Sequence, residues 1–299
     1  MWCCSFLKPA GALLAASLAA SAPLVALAAQ PQAGSETLAR IARNGTVRVG
    51  YIPTPGTFAF QNDKGETVGY SIDICQRVVG GIRQALGRPD LQVSYRPVQP
   101  SQRIPLIKSG EIDIECGGNT NTVSRQKDID FSFTFFNTGV RFLVRKPFDV
   151  ERPSTLIHKK VAVTKGTTAS DIVERLKNEV DVLPVLVASD DEGARMVETG
   201  QVDAFAQDDV LLYGLIAGSS MRDRLAVSGK FMTVEPYAFM LPKDDIVFRD
   251  LVDKTLSGLM HSGEIFSIYR KWFDTDRLRI PMNVYMKENV RFPNRYGIP

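Results

Sequence analysis

The chain has 299 residues, 44% of them hydrophobic and 23% charged, with 23 glycines and 17 prolines. Those proportions are globular, and they exclude collagen, coiled coil and wholesale disorder. The formal net charge is +3 without any long Lys/Arg block, so no nucleic-acid-binding face is marked. His158 and His261 stand far apart in the chain, which argues against a histidine-based metal site; no metal or cofactor is expected.

Residues 1–28 read as a secretory signal peptide. Lys8 precedes an Ala/Leu-rich run from Ala10 to Ala28, and Ala26-Leu27-Ala28 supplies the small-x-small cleavage pattern. Pro23 and the small residues argue against a retained membrane anchor. The expectation is a soluble, exported protein cleaved near Ala28. Cys75 and Cys116 are the cysteines beyond that segment. An exported pair forms a disulfide or stays as two buried thiols, and the residues alone leave both open.

Along the chain, a short helix at Leu38–Asn44 stops at Gly45, and Thr46–Ile52 follows as a strand. Phe58–Gln61 and Thr67–Gly69 flank a turn at Asp63-Lys64-Gly65 and predict a hairpin. Cys75, Val78, Val79, Ile82 and Leu86 fall at helical spacing, and Gly87 ends that helix. Strands at Leu91–Pro97 and Ile112–Cys116 enclose a helix at Arg103–Ser109. The second half repeats the scheme: strand Lys160–Thr164, helix Ser170–Val180, strand Leu183–Val187, helix Glu192–Glu198, strand Val202–Ala206.

Alternating strands and helices predict an α/β fold with mainly parallel sheets covered on both faces. Ser109-Gly110-Glu111-Ile112-Asp113-Ile114 is echoed by Thr199-Gly200-Gln201-Val202-Asp203-Ala204, which favours two related lobes. Gly139–Arg145 and Glu235–Met240 read as extended crossovers between them. Late helices at Phe248–Met260 and Gly263–Phe273 then close the first lobe. The expected domains are residues 1–28 (signal peptide), 29–140 (first part of lobe one), 141–235 (lobe two) and 236–299 (the rest of lobe one).

Each lobe carries a strand that runs into a Gly- and Thr-rich loop and then a helix. The first loop is Gly117–Asn121, before a helix at Thr122–Lys127; the second is Lys165–Thr168, before a helix from Ala169. Helix N-termini collect free N–H groups and bind anions. Arg125 is placed for a bidentate carboxylate contact, or stands as a surface helix arginine. Thr168 and Asp171 have capping-box spacing, which explains Thr168 without a ligand. Of Asp208 and Asp209, one takes an ammonium group and the other caps a helix. No hydrolase, P-loop or dinucleotide-binding motif is present.

These residues, with Val68-Gly69-Tyr70-Ser71, Arg103-Ile104-Pro105-Leu106, Glu115-Cys116-Gly117, Arg125-Gln126, Gly166-Thr167-Thr168 and Lys271-Trp272-Phe273, carry a family resemblance. From about Leu38 to beyond Pro281 the chain resembles periplasmic amino-acid-binding proteins of the family 3 solute-binding type, in the glutamate/aspartate-binding branch of ABC importers. The resemblance implies a two-lobed periplasmic-binding-protein type II fold, hinge closure on one free amino acid, a monomer, and delivery to an inner-membrane permease. It implies that Arg125, Thr120 and Thr168 hold the α-carboxylate, that Asp208 takes the α-ammonium, and that Arg103 contacts the side chain.

The side-chain pocket departs from that pattern. Ile52 stands where an arginine is expected, Pro100 and Gly118 where serines are, and Asp190 at or near an expected histidine; Phe58 completes the candidate ligand-binding set. An uncharged polar side chain, flanked by Arg103 and Asp190, fits as well as an acidic one. The rival readings are a dehydratase-like enzyme on the same fold with Asp190 as acid or base, and a sensory ligand-binding domain.

Overall fold

The computed structural model describes residues 34–217 and 220–299. The signal-peptide segment, residues 1–28, lies outside the described residues. In chain order the elements are α1 (Glu36–Asn44), β1 (Thr46–Tyr51), β2 (Phe60–Gln61), β3 (Thr67–Val68), α2 (Tyr70–Leu86), β4 (Gln92–Pro97), α3 (Arg103–Lys108) and β5 (Ile114–Thr120). Short strands β6 (Asp130–Phe131) and β7 (Phe136–Thr138) lead to β8 (Val140–Arg145), β9 (Lys160–Thr164), α4 (Thr168–Val180), β10 (Leu183–Val187) and α5 (Asp190–Glu198). Then come β11 (Ala204–Asp208), α6 (Asp209–Ala217), β12 (Leu225–Ser228), β13 (Glu235–Leu241), α7 (Ile246–Ser262), α8 (Glu264–Phe273) and α9 (Val284–Arg291).

Two sheets organise these elements. One has the order β4-β1-β5-β13-β6, with β7 also paired to β13; the other has the order β10-β9-β11-β8-β12. Each contains a parallel trio, β4-β1-β5 or β10-β9-β11, joined by an antiparallel strand. The chain passes from the first sheet to the second between Thr138 and Val140, and returns between Ser228 and Glu235. The two segments read as crossovers are thus sheet strands, β8 in the second sheet and β13 in the first.

The sequence echo is reproduced in hydrogen bonds. Gly110 and Gly200 both adopt left-handed backbone, with φ of 68° and 81°. Glu111 and Ile112 N–H donate to Leu106 O, and Gln201 and Val202 N–H donate to Met196 O. Asp113 then accepts from Arg48 N–H as Asp203 accepts from Lys160 N–H. The same stop-and-start device sets β5 beside β1 and β11 beside β9.

Burial follows the sheets. In the second sheet Val161 and Val163 pack with Ile172, Val173 and Leu176 of α4, whereas Ala162 and Phe205 face Val197 and Leu212 on the other side. A sheet covered on both faces needs continuous apolar strands, and β9 and β11 supply them. The first sheet rests on α2, α7 and α8 through Val78, Ile82, Val252, Leu256 and Phe273. Cys75 of α2 is bonded to Cys116 of β5, with Cα atoms 6.1 Å apart, so the buried-thiol alternative does not hold. No helix among the described residues is long and apolar enough to cross a membrane.

Candidate functional site

A cavity of about 120 Å³ lies between the two sheets at the C-terminal ends of β1, β5, β9 and β11, the edge where open α/β sheets bind ligands. Drug-sized ligands occupy pockets of roughly 300–1,000 Å³, so this cavity suits one small molecule. Ile52, Arg103, Gly118, Thr120, Arg125, Thr168, Asp190 and Asp208 all line it. Phe58 does not. It is fully buried, its ring against Tyr70, Phe136, Tyr237 and Phe273, so it is a core residue of the first lobe.

The first lobe builds its share differently from the sequence expectation. Gly117–Thr120 is not a loop but the end of β5, because Tyr237 and Ala238 of β13 pair with Thr120 and Asn119. The helix expected at Thr122–Lys127 is a single 3-10 turn, Arg125–Lys127. Arg125 is therefore held by a turn, its N–H donating to Thr122 Oγ1 at 3.1 Å and its Nη1 to Thr120 O at 2.8 Å. Gly118 is required by packing: a Cβ there would lie 2.5 Å from Cε2 of Tyr237.

The second lobe presents the N-terminus of α4. The cap is Thr167, whose hydroxyl accepts from Ser170 N–H, so the Thr168–Asp171 capping box does not form. Thr168, relieved of capping, donates from Oγ1 to Glu235 Oε2 at 2.8 Å. Asp208 ends β11 and Asp209 opens α6, where Thr138 Oγ1 donates to Asp209 Oδ1 at 2.6 Å. Asp190 Oδ1 accepts from Thr164 Oγ1 at 2.5 Å and from Gln207 Nε2 at 2.8 Å.

The charges of the cavity are mismatched with one another. Arg103 donates to Asn119 Oδ1 and Gly166 O, and Arg125 to Thr120 O and Gly166 O, all neutral oxygens. Burial, with Arg125 nearby, draws the Arg103 guanidinium down to about 9. Asp208 accepts from the Tyr237 hydroxyl through Oδ2, while its buried Oδ1 has no hydrogen-bond partner. Burial, reinforced by Glu235, raises its pKa well above the ordinary carboxylate value.

Sequence reasoning missed Glu235, Tyr237, Glu115 and Asn119. Glu235 and Glu115 are fully buried acids. The Asn119 side-chain amide donates to Glu115 Oε2 while its oxygen accepts from Arg103, linking acid and arginine through one side chain. For Glu235 the available signal was an acid at the head of the apolar run Pro236–Leu241.

Two α/β lobes that enclose a small cavity, with cations and a buried acid converging on it, define a bilobal receptor for a small polar solute. Residues 47–275 match the bacterial extracellular solute-binding proteins, family 3, and the chain belongs to that family. The glutamate/aspartate import solute-binding protein of Escherichia coli is 38% identical over 89% of this chain and 88% of its own. The L-glutamate/L-aspartate-binding protein of Pseudomonas aeruginosa is 33% identical over 94% and 97%. Among solved structures, the cysteine-binding protein of Campylobacter jejuni superposes with a TM-score of 0.73 at 21% identity, covering 84% of this chain and 97% of that one, a likeness of fold.

Proposed function

We propose that the protein is the periplasmic solute-binding component of an amino-acid ABC importer. It captures one free amino acid between its lobes and presents the closed form to an inner-membrane permease. The observation that carries this reading is a guanidinium and a carboxyl group in one cavity, Arg125 from the first lobe and Asp208 from the second, whose protein hydrogen bonds go to neutral partners: Arg125 to Thr120 O and Gly166 O, Asp208 to the Tyr237 hydroxyl. A zwitterion complements both.

Arg125, the Thr120 and Thr168 side chains and the N-terminus of α4 receive the α-carboxylate; Asp208, held by Tyr237, receives the α-ammonium. The groups come from opposite lobes, so binding and lobe closure are one event, and measured affinity includes the cost of closure. The signal peptide directs export, and the mature chain acts as a monomer. Asp190 is a binding acid in this reading, not a catalytic one, in keeping with relatives that are solute-binding proteins.

Calorimetric titration of protein that has been unfolded and refolded, against the common L-amino acids, tests the proposal. Binding of one amino acid at micromolar or lower Kd is expected. Arg125→Ala and Asp208→Ala should each weaken it by about tenfold to a hundredfold, since a charge-assisted hydrogen bond contributes about 1.5–3 kcal/mol. A panel without any binder, but with turnover of a carboxylate substrate, would favour the enzyme reading instead.

A further inference from the structure

The two arginines of the cavity converge on a single point. Nη2 of Arg103 and Nη2 of Arg125 reach the same oxygen, Gly166 O, at 3.3 and 3.4 Å. That oxygen stands one residue before Thr167, the cap of α4, so both guanidinium groups and the helix N-terminus face one small region. A single carboxylate placed there engages every cation that lines the cavity. Away from the arginines the lining is apolar at Ile52, Val98, Pro100 and Leu211, neutral and polar at Thr54, Gln99 and Ser189, and acidic at Asp190, Asp191 and Asp208.

Asp190 is fixed for a task. It occupies the first position of α5, after the cap Ser189, and Thr164 and Gln207 both donate to its Oδ1. Both donors engage Oδ1, and the residue lines the cavity. A ligand side chain that reaches this end meets a carboxyl acceptor. A ligand carboxylate there would stand beside the acids Asp190 and Asp191, while the two guanidinium groups of the cavity are directed to Gly166 O.

Building on the amino-acid reading above, we infer that the side-chain end of this cavity receives an N–H donor at Asp190 Oδ2, so that the cargo is an amino acid with a nitrogen-bearing side chain and not glutamate or aspartate. The carboxamides of glutamine and asparagine are the compact members of this class and suit the cavity of about 120 Å³. Burial already raises the pKa of Asp190 and of Asp208, each further raised by a neighbouring acid, and an anionic side chain would aggravate that strain.

Glutamine and glutamate are nearly the same shape, as are asparagine and aspartate, so each pair isolates the charge. Titration of the refolded wild-type protein with both pairs, and with histidine, lysine and arginine, is expected to give the tightest Kd for a nitrogen-bearing side chain. Each amide should bind at least about tenfold tighter than its acid. Asp190→Asn should weaken the best ligand about tenfold while improving the acids relative to the amides; a merely structural role would weaken all ligands alike. Glutamate, aspartate or an apolar amino acid as the tightest ligand overturns the inference and leaves the importer reading standing. Absence of binding by any amino acid overturns both. The wild-type comparison decides the matter even where the variant fails to fold.

Discussion

Tyr237 explains why residue 118 is glycine. Its ring covers the backbone of β5 and its hydroxyl reaches Asp208 in the other lobe. Gly118→Ala would force that ring aside, at a cost of about 1–3 kcal/mol for overpacking, and would loosen Asp208, the acid to which we assign the ammonium group. A lower thermal midpoint and a weaker Kd are expected together; an unchanged pair of values would show that Tyr237 is not so confined. Asp208 also predicts a pH dependence. Its folded pKa is raised by burial and by Glu235, so the folded chain holds the proton more tightly than the unfolded one. Its contribution to stability is therefore greatest below the raised value and is lost as pH rises through it. Without added ligand, thermal midpoints of wild type measured relative to Asp208→Asn should fall as pH rises from the ordinary carboxylate range of about 4 upward. A difference independent of pH would contradict the assignment.

At the scale of elements, a bond and a cap hold the cavity walls. The disulfide ties α2 to the middle of β5, two residues before Gly118, and closes a sequence separation of 41. The Cys75→Ser/Cys116→Ser variant should lose about 2–4 kcal/mol by chemical denaturation. Unfolded, unreduced wild type should resist thiol labelling at both positions. Thr167→Ala removes the α4 cap and should cost about 1 kcal/mol, without touching Thr168, which is bonded to Glu235. The sequence pattern misassigned this cap because Thr167 and Thr168 are both good N-caps, and backbone geometry chose between them. It also read Gly117–Asn121 as a loop, since two glycines and polar neighbours signal a turn. Pairing with β13, more than a hundred residues later, keeps that segment extended, and local composition carries no trace of so distant a partner.

For the whole molecule, the two-lobed plan was legible because each lobe repeats a local device. Gly110 and Gly200 stop a helix and start a buried strand in the same way, and the apolar runs of β9 and β11 demand cover on both faces. The polar lining was legible where a residue type has a narrow chemistry: Arg125, Asp208, Thr120 and Thr168 meet in one cavity. Phe58 is absent from the cavity lining because the aromatic rings around it hold it in the core, contacts that form only in the folded chain. Glu235 escaped notice because its role arises from Thr168 in the other lobe, a pairing that only the folded chain creates. Thr168–Glu235, Tyr237–Asp208 and Thr138–Asp209 all bridge the lobes close to the two connections between the sheets, where closure must turn.

The central claim is that both lobes grip a zwitterion at Arg125 and Asp208. A crystal structure of the refolded protein with its tightest amino acid tests this most directly. The α-carboxylate is expected between the Arg125 guanidinium and the N-terminus of α4, and the α-ammonium within hydrogen-bond distance of Asp208. An amino acid bound outside the interlobe cavity, or inside it with those two groups interchanged, would rule out this grip.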